Sequence, residues 1–76
     1  MDSKIKELFS TILEVPIDNI TNTISPNNFE KWDSLHHMFL VSAFEEEFDI
    51  SIEPEEVVEM YDGFNSFKSM ILKKIN

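Results

Sequence analysis

Apolar residues recur at helical spacing at the start, middle and end of this chain, and between the first two runs the period vanishes. Ile5, Leu8, Phe9, Ile12 and Leu13 fall on one helical face. Asp2 or Ser3 can cap that run, and Val15-Pro16 closes it, because a residue before proline is pushed out of the helical region. The spacing predicts a first helix over about residues 3–14. Residues 16–33 hold Asn, Thr, Ser and Pro without sustained period, as a loop requires. Ile17, Ile20, Ile24, Phe29 and Trp32 are scattered along it as expected anchors, since so long a loop must pack on the core or carry function.

A second helix is expected from Asp33 or Ser34 through Phe48. Its stripe is His37, Leu40, Val41, Phe44 and Phe48, with Leu35 below it. Asp49-Ile50-Ser51-Ile52 is a connector. Pro54 suits the first turn of a short third helix, with Glu55 and Glu56 at its positive end. Val57, Val58 and Met60 give it an apolar side, and Tyr61-Asp62-Gly63 breaks it. Ser66 caps an expected fourth helix running to about Ile75, with Phe67, Met70, Ile71 and Ile75 inward and Lys68, Lys73 and Lys74 outward. No strand alternation and no repeat appear. The expected fold is all-α, one domain over residues 1–76: a small four-helix bundle with a long loop between helices one and two and a short third helix.

Composition narrows what such a bundle can do. Seventy-six residues leave little room for a deep catalytic pocket and its scaffold. The chain has no cysteine, so neither disulfides nor Cys-based zinc can support the core, and seven Phe supply the large buried surfaces. A formal net charge of -9 argues against nucleic acid and anionic membranes as partners. No stretch reaches the apolar length of a membrane span, and no signal-peptide core is evident. A cytoplasmic monomer is expected.

The charge is segregated. Ten acids lie between Asp33 and Asp62, and no Lys or Arg occurs between Lys31 and Lys68. Such a surface either keeps the protein soluble or docks basic patches of partners; its segregation favours docking. Metal binding is disfavoured, because adjacent His36 and His37 point about 100° apart on a helix. Catalysis by Ser34 is disfavoured too: one helical turn supplies no aimed base and no oxyanion site. Asp33 and His37 are expected to form an i,i+4 surface pair. Ser34 opens an acid-rich helix, where unpaired N–H groups and a partial positive charge tolerate a phosphate. Its hydroxyl is therefore either a helix cap or a covalent attachment point.

The whole arrangement resembles the acyl carrier protein family. The likeness runs through the amphipathic first helix, the long loop, Asp33-Ser34-Leu35, and a second helix ending Ala43-Phe44-Glu45-Glu46-Glu47-Phe48-Asp49-Ile50. Ile52 through Met60 looks like the family's short acidic third helix, and Phe64-Asn65-Ser66-Phe67 like the entry to its fourth. The resemblance implies a carrier, not an enzyme, with no catalytic residue of its own. It implies 4'-phosphopantetheine on Ser34, added from coenzyme A by a phosphopantetheinyl transferase with magnesium. Asp33 and Leu35 would flank that site, Asp33 orienting the transferase's metal and phosphate. The arm's thiol would carry acyl groups for enzymes of fatty acid, lipid or polyketide-type biosynthesis that load, elongate and transfer them.

Met38, Phe39, Ser42, Glu45 and Glu46 form the expected docking face, Phe39 being equally suited to the edge of the core. The apolar side chains of helices two to four either part around a short acyl chain or leave that space filled by Phe. Lys31-Trp32 before Asp33, His36-His37 after Leu35, and the extra Tyr61-Asp62-Gly63 look like specialised carriers of dedicated pathways. The rivals are a peptidyl or aminoacyl carrier, and an acidic helical adaptor in which Ser34 only caps its helix.

Overall fold

In a computed structural model, which describes residues 2–75, the chain folds into α1 (Asp2–Leu13), a single 3-10 turn at Ile17–Asn19, α2 (Ser34–Phe48), α3 (Pro54–Met60) and α4 (Phe64–Ile75). The described residues contain no strand, and the all-α expectation holds. Helix α1 packs on α2, and α3 packs on α4.

Both long early helices end in the same way. Glu14 and Asp49 adopt left-handed backbone, with φ of 58° and 54°. Each lets the next N–H turn back: Val15 N donates to the Ser10 carbonyl, and Ile50 N to the Glu45 carbonyl, at 3.1 Å each. These closures satisfy carbonyls that the helix leaves unpaired, in a position usually given to glycine. A side chain at either position is strained, more so for Glu14, since Asp can compensate locally.

The core is aromatic, and Phe9 stands at its centre. Its ring meets Trp32, Phe44, Phe64 and Phe67 edge-on, with centroids 5.2, 5.8, 5.0 and 4.8 Å away. Such edge-to-face pairs match the ring's positive edge to a negative face and add to the gain from burial. Leu13, Leu40, Met60 and Ile71 complete the interior.

The long loop is held at four of its five expected anchors. Ile20, Ile24 and Trp32 are buried and Phe29 is half-buried, but Ile17 lies 41% exposed on the 3-10 turn. Backbone bonds do the rest. Phe64 N donates to the Ile24 carbonyl at 3.0 Å, and Asn28 bridges the Ser25 N–H and the Thr23 carbonyl. Phe64 is thus helical and buried, so α4 begins two residues before the expected cap at Ser66. The phenyl ring packs inward, and its N–H is satisfied by the loop instead of a cap side chain.

Two further expectations are corrected. Val58 is 73% exposed, because a seven-residue helix buries only a narrow stripe, here Met60 with Val57 partly covered. Lys68 and Lys74, expected outward, are half-buried as they pair with Asp2 at 3.4 Å and Glu56 at 2.8 Å, while Lys73 is exposed as expected. Lys74, with the Glu53 N–H, holds the Glu56 carboxyl below its usual range. No helix among the described residues is long and apolar enough to cross a membrane.

Candidate functional site

Helix α2 begins at Ser34, and the cap belongs to Asp33. The Asp33 backbone is extended (φ -107°, ψ -177°), and its Oδ1 accepts the His36 N–H at 2.8 Å. A carboxylate placed there satisfies an orphan donor and complements the positive helix end. Ser34 sits at the first helical position, exposed, and contributes no cap bond. Its hydroxyl is therefore not consumed in starting the helix, which removes the capping role that the adaptor reading gave it.

Asp33 pairs with His36, not with His37 as expected. His36 Nδ1 lies 2.8 Å from the same Oδ1. The i,i+4 rule describes residues inside a helix; a cap residue in extended conformation directs its side chain over the third helical position instead. The His36 N–H and then its imidazole hold the Asp33 carboxyl below the usual carboxylate range.

His37 points the other way and is buried. Trp32 Nε1–H donates to its Nδ1 at 3.1 Å, and its Nε2 faces the Val57 carbonyl at 2.8 Å. Indole can only donate, so Nδ1 accepts and Nε2 carries the proton. One neutral imidazole thus ties the end of the long loop to α2 and α3, with Tyr61 and Phe67 packed on its ring. Burial holds His37 below its ordinary pKa, opposed in part by the bond to Val57. The two histidines keep separate company, so they do not converge on a shared ligand.

The outer face of α2 carries the expected docking residues. Leu35, Met38 and Phe39 are 59%, 50% and 50% exposed, and Ser42 and Glu46 are exposed as well. Leu35 therefore does not extend the buried stripe; helical spacing places it with Met38, Phe39 and Ser42. Phe39 belongs to the surface, its ring meeting the edge of His36 at 5.8 Å. Glu45 differs from its neighbour. It is half-buried, and its Oε2 accepts the Ile52 N–H at 2.9 Å, fixing the connector between α2 and α3. Glu47 is drawn to Lys4 of α1 at 3.1 Å.

The sequence reading missed two pairings, Asp33–His36 and Trp32–His37. The first had a signal: an acid at the cap with a donor side chain at the third helical position. The second had none, because Trp32 belongs to an aperiodic segment.

The described residues form four α-helices and no strand, with an exposed serine opening the acidic second helix. The chain is 39% identical over 56 residues to the acyl carrier protein of Buchnera aphidicola subsp. Schizaphis graminum, covering 74% of this chain and 71% of that relative. No protein-family model matches. The chain belongs to the acyl carrier protein family.

Proposed function

We propose that Ser34 carries 4'-phosphopantetheine through a phosphodiester, installed from coenzyme A by a phosphopantetheinyl transferase. The observation that carries this reading is the division of labour at the start of α2. Asp33 caps the helix and leaves the Ser34 hydroxyl exposed at the helix's positive end, where a phosphodiester is tolerated. When bound, the arm supplies a thiol that holds an acyl group as a thioester. The protein's own residues present that cargo and supply no catalytic group. Leu35, Met38, Phe39, Ser42 and Glu46 form the surface that successive enzymes read, apolar at its centre and acidic at its rim. Glu45 supports that surface mainly by holding the connector through Ile52. The pathway is a specialised one, in lipid, polyketide, peptide or surface-polysaccharide assembly. Trp32 and His37, which look like features of specialised carriers, form an integral part of this core.

Incubation with coenzyme A, magnesium and a broad-specificity transferase should add the mass of one phosphopantetheine, and Ser34→Ala should gain nothing. If several transferases leave the wild-type mass unchanged, the chain is an unmodified adaptor. Glu46→Lys should then slow acyl transfer by a partner at low salt while leaving the melting curve in place; unchanged transfer would remove the acidic rim from the docking face.

A further inference from the structure

Resting on this attachment reading, we propose that His36 is a positioning residue for the loading of Ser34, locking the Asp33 carboxylate in one orientation beside the reacting hydroxyl. Two donors of His36 converge on a single oxygen. The backbone N–H and Nδ1 each lie 2.8 Å from Asp33 Oδ1, and among the described residues Oδ2 takes part in neither bond. A carboxylate has no proton to give, so Nδ1 carries it and the tautomer is set. The terminal torsion of an aspartate is otherwise broad, and a cap bond alone does not fix its plane. His36 is itself held, with its side chain 30% exposed and its ring against Phe39 at 5.8 Å and 82°. Order thus passes from Phe39 to His36 to Asp33, next to a serine free to react.

Loading forms a bond from Ser34 Oγ to phosphorus and breaks the pyrophosphate P–O bond of coenzyme A. The adenosine bisphosphate half leaves with the electron pair, and the serine proton passes to a base of the transferase. Hydroxyl, phosphorus and leaving oxygen must come into line, so a carboxylate that wanders beside them costs turnover more than affinity. Oδ2 is the atom left to meet the transferase complex.

The test is the rate of mass gain for the full chain with coenzyme A, magnesium and one transferase, comparing wild type, His36→Ala and His36→Asn. The asparagine amide places an N–H near the position of Nδ1. His36→Ala should lose about tenfold in kcat with KM within about twofold, and His36→Asn should recover most of the loss. Circular dichroism melts confirm that each variant is folded. Wild-type kcat in His36→Ala, a loss confined to KM, or His36→Asn as slow as His36→Ala would each overturn the proposal. Wild type that never gains mass refutes the attachment reading itself; loaded wild type with an unaffected alanine variant refutes only the role of His36.

Discussion

His36 and His37 are neighbours in the chain and opposites in the fold. His37 lies inside, where a polar group must be satisfied, and its two nitrogens bond two groups from other parts of the chain. His36 lies nearer the surface, and its bonds to Asp33 stay within one helical turn and tie no distant element to the core. The inner face of α2 is thus a place of obligatory contacts, whereas the outer face is left to whatever meets the protein. One helix separates buried contacts that hold the fold from an exposed face that does not.

The largest test of the inner face is Phe9→Ala. Four aromatic rings lose their common partner, and removal of a buried Phe costs about 3–5 kcal/mol. A domain of this length has a total stability of roughly 4–11 kcal/mol, so urea unfolding should show at least a quarter of it gone. Phe39→Ala, one residue from the inner stripe, should shift the urea midpoint far less. Equal losses would mean that Phe39 packs in the core after all.

His37→Leu comes next. It orphans the buried Trp32 indole N–H, at about 1–3 kcal/mol, and removes the partner of the part-buried Val57 carbonyl. His36→Leu in the same assay should have a much smaller effect. The comparison fails if both variants unfold at the same urea concentration.

Acid sharpens it further. Burial depresses the pKa of His37 in the folded state, so the unfolded chain takes up the proton first. The stability that the neutral imidazole contributes is therefore fully present above about pH 6.5 and is lost as pH falls below that toward the folded value. Asp33 and Glu56, also depressed, lose their contributions only in the lower carboxylate range, so the two windows separate. Melting temperatures between pH 7 and pH 5 should decline in wild type and stay flatter in His37→Leu. An equal decline in both would assign the effect elsewhere.

The smallest expected effect lies away from either face. Glu14→Gly relieves left-handed strain at the end of α1 and should raise stability by about 1 kcal/mol, read as a higher urea midpoint. Asp49→Gly should gain less, since aspartate tolerates that conformation better. A loss at Glu14 would show that its side chain makes a contact worth more than the strain.

Much of this was legible along the chain because helices are local. The apolar spacing of Ile5, Phe9 and Leu13, the stripe His37, Leu40, Val41 and Phe44, and the proline opening α3 each fall within the span of one helix, and the structure follows them. The errors cluster where a residue's partner is distant or its backbone is irregular. Ile17 looked like an anchor, but an apolar residue in an aperiodic segment has no face to predict, and the turn at Ile17–Asn19 turns it outward. Phe64 joined α4 because a loop carbonyl forty residues away takes its N–H. Asp33 turned to His36 because its extended backbone follows the geometry of a cap and not that of a helix.

By itself, the sequence determined that Asp33 or Ser34 opens an acid-rich amphipathic helix in a small helical chain, since helical period and composition decide both; that Asp33 is the cap and Ser34 is left exposed was decided by the structure. Only the tertiary structure decided which neighbouring histidine belongs to the core. The Trp32 indole and the Val57 carbonyl come together around His37 through packing of the long loop and α3 against α2. That packing is a tertiary event, and it also leaves Leu35, Met38 and Phe39 on the outer face of α2 exposed.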